Sequence, residues 1–86
     1  MHWVKNARYV SDFNIVVDFE DGSSRMVDLK SRLQGEVFAS LNNVAEFRNF
    51  RVNEDTDTIE WRNGADMSPD YLYEIGIPVS EASEAA

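Results

Sequence analysis

The sequence has no cysteine, one histidine, two prolines and four glycines in 86 residues. Without cysteine there is no disulfide framework, thiolate metal site or thiol nucleophile, which fits a reducing cytoplasm. The single histidine, His2, lies beside a terminus that we expect to fray, so it is a poor base for a Ser-His-Asp arrangement. The glycines stand alone at positions 22, 35, 64 and 76, so no P-loop or dinucleotide fingerprint is present. We expect no enzyme, no metal site and no cofactor.

Long apolar runs and basic residues are also scarce. No run approaches the roughly 18 apolar residues of a membrane span, and the first ten residues lack the apolar stretch of a secretory signal. Eight basic against 16 acidic residues give a formal net charge of −8. Such a charge disfavours nucleic acid as a ligand and attracts a basic partner, although an acidic balance also simply keeps a small protein soluble. We expect a soluble, cytoplasmic protein.

The chain has the size and composition of one globular domain. It is 43% hydrophobic and 28% charged, and 86 residues leave room for one modest core. We expect a single compact α+β domain over residues 1–76. Residues 77–86, which contain little to bury, are expected to form a flexible acidic tail.

Apolar alternation predicts a small antiparallel sheet of about five strands in two hairpins, packed with short helices in the order βββ-α-α-ββ-α. Three strands are expected within residues 2–29, and a second hairpin over residues 50–62. Between them, Asn43 and Glu46 resemble a capping box for a short helix that must rest on the sheet. In the second strand one face carries Phe13, Ile15, Val17 and Phe19, and the other carries Asn14, Asp18 and Glu20.

The turn Asp21-Gly22 leaves the register of the second and third strands open. A two-residue loop pairs Val17 with Met26. A three-residue Asp-Gly-Ser loop with a bulge pairs Val17 with Val27 instead. We favour the second register because it stacks apolar side chains on the face that the second strand defines.

The stretch WRNGADMSPDYLYE, residues 61–74, predicts a strand that turns into a helix, and we call it the elbow. Ser68 is expected to cap the helix, with Pro69 in its first position and the Asp70 carboxylate near the positive end of its dipole. Met67 and Leu72 have the spacing of a hydrophobic staple. Capping predicts that Ser68→Ala costs about 0.5–2 kcal/mol.

The remaining elbow residues include the candidate contacts for a partner. Asn63-Gly64 is a turn dipeptide. Asp66 either bonds loop N–H groups in an Asx-type turn or is a functional carboxylate. Tyr71 and Tyr73 cannot both face the same way on one helix, so one is expected at a rim. The candidate interaction residues are Trp61, Asn63, Asp66, Asp70, Tyr71 and Tyr73, held on a structural frame of Gly64, Met67, Ser68, Pro69 and Leu72.

These residues resemble a known family. The runs that carry the resemblance are Val27-Asp28-Leu29, Ile59-Glu60-Trp61, Asn63-Gly64-Ala65-Asp66 and Leu72-Tyr73-Glu74. They resemble the small prokaryotic family called Domain of Unknown Function 2442 over nearly the whole chain up to Glu74. The resemblance implies a compact α+β domain with an antiparallel sheet and no established activity. Stand-alone members are often encoded beside another small protein, an arrangement similar to a toxin-antitoxin pair.

Two functional hypotheses follow. The leading one is a non-catalytic interaction module, antitoxin-like or regulatory, that binds a small and basic partner protein through the elbow. The alternative is a small-molecule, metal-binding or hydrolytic site at Asp66 and Asp70. Exposed strand edges also leave a homodimer open.

Overall fold

The computed structural model describes residues 2–79 and shows an α+β fold. Strands β1, β2, β3 and β6 form a four-stranded antiparallel sheet in that order, and β4 and β5 form a separate hairpin. The predicted class and element order are confirmed, with one further strand at the end. The bounds of the elements in residues 2–79 are β1 (Val4–Ser11), β2 (Asn14–Phe19), β3 (Ser24–Asp28), α1 (Glu36–Ala39), α2 (Val44–Phe47), β4 (Phe50–Asn53), β5 (Thr58–Trp61), α3 (Pro69–Ile75) and β6 (Ile77–Pro78), with 3-10 turns at Lys30–Arg32 and Ser40–Asn42.

Strand β6 lies where the flexible tail was expected to begin. Ile77 pairs with Met26 and Pro78 with Arg25, so the sheet continues past residue 76. Gly76 makes this possible, because a Cβ there would lie 2.7 Å from the Cβ of Arg25. The chain can therefore pass from α3 to the sheet edge only with glycine at this point. The rest of the expected tail, residues 80–86, lies outside the described residues.

The β2–β3 hairpin has neither of the two registers considered from the sequence. Val17 pairs with Arg25, two residues away from the favoured partner Val27. The loop has three residues, but they are 20–22 rather than Asp-Gly-Ser. Gly22 adopts φ +90°, and its N–H donates to the carbonyl of Phe19 over 3.0 Å. The turn closes one residue earlier than expected because Gly22 takes the left-handed position that ends it.

The shift of two residues leaves every side chain on its predicted face, because the side-chain period of a strand is two. The inner face of the four-stranded sheet therefore carries the core, as expected. It packs against α2, the β4–β5 hairpin and the elbow in one cluster. The largest fully buried side chains are Trp61, Phe19, Phe47, Ile15, Leu29, Ile59, Leu72, Val17 and Val27.

The short helices are held by specific contacts as well as by burial. The Asn43 side chain accepts a hydrogen bond from the N–H of Ala45 over 2.9 Å, which confirms it as the cap of α2. Phe47 at the end of α2 is fully buried, and its carbonyl accepts the indole N–H of Trp61 over 2.7 Å. This bond joins α2 to β5. None of the helices within residues 2–79 has the length and apolar character needed to cross a membrane.

Candidate functional site

The elbow begins α3 where the sequence predicts it. Ser68 is the N-cap residue and Pro69 the first helical residue, but the Ser68 hydroxyl makes no capping hydrogen bond. The first helical bond runs from the N–H of Leu72 to the carbonyl of Ser68 over 3.1 Å. Met67 and Leu72 are both buried in the core cluster, as the staple requires. The predicted cap position is confirmed, whereas the predicted capping bond is wrong.

Asn63 shapes the elbow loop by forming the Asx turn that was one of the two roles considered for Asp66. Its side-chain oxygen accepts from the N–H of Ala65 over 3.0 Å, which is the Asx turn. Its amide nitrogen lies 2.7 Å from the carbonyl of Val37 and 3.3 Å from the hydroxyl of Ser40. Gly64, at φ +87°, completes the turn. The loop is therefore fastened to α1 by one exposed side chain.

The two elbow carboxylates have different surroundings. Asp66 is exposed, its backbone forms an isolated bridge with Glu60, and its side chain makes no hydrogen bond within residues 2–79. The Asp70 carboxylate instead accepts the backbone N–H of His2 over 2.9 Å and lies 3.3 Å from its Nδ1. The hydrogen bond from the His2 N–H lowers the pKa of Asp70 below its ordinary value. Within residues 2–79 no three or more His, Asp or Glu side chains are grouped to hold a metal ion.

The aromatic side chains of the elbow are engaged inside the molecule. Trp61 is 2% exposed, so its side chain offers almost no surface to a partner. The Tyr71 hydroxyl accepts from a guanidinium nitrogen of Arg32 over 3.1 Å. Both tyrosines are half-buried, so neither presents a free ring.

Tyr73 lies between two other side chains. The His2 ring stacks on one face at 3.6 Å, and the Arg25 guanidinium lies 3.8 Å from the ring centroid. Arg25 also donates to the carbonyl of Gly76 over 3.0 Å. This arrangement explains why a charged residue can occupy the inner face opposite Val17. It holds the amino-terminal segment, β3 and α3 together.

A second candidate surface lies on the outer face of the four-stranded sheet, away from the core. Arg8, Val16, Met26 and Ile77 are successive cross-strand partners, one from each strand, and we call them the outer row. Val16 is only 2% exposed although it lies outside the core cluster. Ile77 is 69% exposed.

The outer row lines an open groove of about 360 Å³, to which Val10, 42% exposed, also contributes. A carboxylate stands on each side of the row. Asp18 pairs with Ser24 on one side, and Asp28 pairs with Asn14 on the other. The surface is thus an apolar patch of Val16, Met26 and Ile77 between two acidic positions, with the cation Arg8 at its β1 end.

This surface was not predicted from the sequence, although one signal was present. Val16 lies on the same face of β2 as Asn14 and Asp18, so its apolar side chain interrupts the polar positions of that face. Met26 does the same in β3. Ile77 gave no such signal because residues 77–86 were expected to be a flexible tail.

The fold and its motifs agree with one family. A family model described as Protein of unknown function (DUF2442) matches residues 4–78, from β1 to β6, and confirms the resemblance of the elbow and its neighbours. Comparison with curated proteins and with solved structures gave no match.

Proposed function

The chain belongs to the DUF2442 family, and we propose that it is a non-catalytic interaction module that binds a basic partner protein through the outer face of its four-stranded sheet. The observation that supports this proposal is the outer row. An apolar sheet face is ordinarily covered by a second layer of structure. The inner face has such a layer, whereas within residues 2–79 the apolar side chains of Ile77 and Val10 lie exposed along the groove of the outer row.

The exposed side chains provide a small apolar anchor. Full burial of a Val, Ile or Met side chain stabilises a complex by roughly 1.5–3 kcal/mol. Ile77 and Val10 are only partly buried in the free protein, so a partner that covers them gains part of that amount from each. A micromolar complex requires about 8 kcal/mol, so apolar burial on this face must be supplemented by polar and charged contacts.

Net charge favours a basic partner over a second copy of the chain. Two copies each carry a formal charge of −8 and repel one another, whereas a basic protein is drawn to the surface. Asp18 and Asp28 place part of this charge directly beside the outer row. A basic protein is therefore a better occupant than a symmetric dimer.

A regulatory subunit is the role that suits such a module. Binding a basic protein through one sheet face would cover a basic surface on that protein, which is how an antitoxin-like subunit acts. The paired gene arrangement implied by the family resemblance supports this role. The elbow is the weaker surface, because Trp61 is buried and both faces of Tyr73 are covered.

The proposal predicts that an exposed outer-row side chain controls binding. The partner is isolated from cell lysate on the immobilised wild-type chain, identified, purified and titrated by calorimetry. We expect micromolar or tighter binding, weakened by about tenfold in Ile77→Asn because that change removes an apolar anchor without altering charge. Val37→Asn is the matched control, since Val37 is 54% exposed on α1 and lies away from the groove.

Circular dichroism spectra must show both variants folded. Equal affinities of Ile77→Asn and wild type, or equal losses in Ile77→Asn and Val37→Asn, would contradict the proposal.

A further inference from the structure

We infer that the element which the partner places on the outer row is an amphipathic α-helix with basic residues along both flanks. This inference rests on the proposed function and adds the form and chemistry of the ligand. Three features of the described residues support it: the chemistry of the adjoining sheet edge, the dimensions of the row, and the positions of its carboxylates.

The β6 edge beside the outer row lacks a donor that strand addition would use. Val79 donates its N–H to the carbonyl of Ser24, so the N–H of residue 79 points towards β3. Because strand residues alternate, the backbone nitrogen of residue 78 points to the free edge. That residue is Pro78, which has no N–H to donate. A partner strand would find no donor at residue 78, which favours docking on the face over strand addition at β6.

The dimensions of the outer row match a short helix. Four strands at roughly 4.8 Å spacing give a row of about 14 Å from β1 to β6. A helix rises about 1.5 Å per residue, so roughly ten residues cover that length and present apolar side chains at i, i+3, i+4 and i+7. A helix lying along the row would supply a second layer on this face of the sheet.

The carboxylates specify the charge of that helix. Asp18 lies two residues after Val16 in β2, and Asp28 lies two residues after Met26 in β3. Each carboxylate is therefore about 7 Å from the axis of the row, and the two lie on opposite sides of it. A helix with its side chains is about 10–12 Å wide, so lysine or arginine on either flank can reach these carboxylates. Apart from Arg8 at the β1 end, the row is apolar and lies between two acids, which is complementary to an apolar helix face between two basic edges.

The helix is tested with two synthetic peptides of identical composition, each about 14 residues of leucine and lysine, roughly 21 Å long as a helix. One has leucine at helical spacing and the other alternates leucine and lysine, which favours a strand. In titrations of the full chain we expect the helical peptide to bind about tenfold more tightly. Its binding should fall in Ile77→Asn and not in Val37→Asn. Equal affinities for the two peptides, or tighter binding of the alternating one, would overturn the helix.

The flanking charges are tested with a pair of neutralising variants. Asp28→Asn keeps an oxygen that can accept the N–H of Lys30, which Asp28 now accepts over 3.0 Å. Asp55→Asn makes the same change in net charge at an exposed position in the β4–β5 turn. We expect Asp28→Asn to weaken binding of the helical peptide about threefold, as for one exposed ion pair, and Asp55→Asn to leave it unchanged. Equal effects of Asp28→Asn and Asp55→Asn would show that the peptide responds only to the net charge of the protein. That result would contradict the proposed contacts between the basic edges of the helix and the flanking carboxylates.

The two proposals fail in different ways. If Ile77→Asn abolishes binding of the purified partner while the alternating peptide is preferred, the outer face is the interaction surface and the helix is wrong. If Ile77→Asn leaves binding of the purified partner unchanged, the proposed function fails and the helix fails with it.

Discussion

At the scale of single residues, Asn63 determines the shape of the elbow. Its three hydrogen bonds form the Asx turn and fasten the loop to α1. The sequence predicts a turn at Asn63-Gly64 but does not identify the anchoring side chain. The bond to Val37 joins residues 26 positions apart, and such a partner cannot be inferred from local spacing. For the same reason Asp66 was given a structural role that Asn63 fulfils.

Replacement of Asn63 by alanine is predicted to destabilise the fold by about 1–2 kcal/mol, because three backbone and side-chain partners lose their bonds. Ser68→Ala is the matched control in the same elbow. Its hydroxyl makes no capping bond, so we expect a change within about 0.5 kcal/mol, in place of the capping loss expected from sequence. Urea unfolding of both variants measures the difference. A loss in Ser68→Ala as large as that in Asn63→Ala would contradict this account of the elbow.

At the scale of elements, the apolar alternation predicted correctly which face of the sheet each side chain of β2 lies on. The predicted register between β2 and β3 was wrong. Alternation in β2 placed Ile15 and Val17 on the buried face, and they are buried. The register was chosen to pair apolar residues, which placed Val27 opposite Val17. Arg25 lies opposite Val17 instead, and the ring of Tyr73 and the carbonyl of Gly76 receive its guanidinium. Those contacts come from α3 and the residue that follows it, so β2 and β3 alone could not reveal them.

The contact between His2 and α3 predicts a dependence of stability on pH. The His2 backbone N–H lowers the pKa of Asp70 below its ordinary value of 3.8 in the folded protein. A carboxylate whose pKa is lowered by folding stabilises the fold when ionised, and this stabilisation is lost as the pH falls through the folded pKa. We therefore expect Asp70→Asn to lower the Tm near pH 7, with the difference from wild type shrinking as the pH falls below 3.8 towards the lower pKa of the folded protein.

Calorimetric melts across this pH range measure the effect of Asp70. Asp66→Asn is the control, because the Asp66 carboxylate makes no hydrogen bond within residues 2–79 and its removal should leave the melting temperature unchanged. A difference between wild type and Asp70→Asn that persists undiminished at the acidic end would show that the His2 contact is not the cause.

At the scale of the whole molecule, the two faces of the four-stranded sheet have different surroundings. The inner face holds the core, and its residues were predictable because a regular alternation marks them. The outer row was only half visible in the sequence. Val16 and Met26 interrupt the polar positions, but Ile77 joins them through β6, which depends on Gly76 letting the chain reach β3. A surface assembled from four strands is a property of the fold rather than of any one segment.

The most direct test of the outer face as the interaction surface is chemical-shift mapping of the isotopically labelled chain during titration with the purified basic partner. The amides of Val16, Met26 and Ile77 are predicted to show the largest changes. Large changes confined to residues 61–74, with the outer row unmoved, would contradict the proposal and return the interaction surface to the elbow.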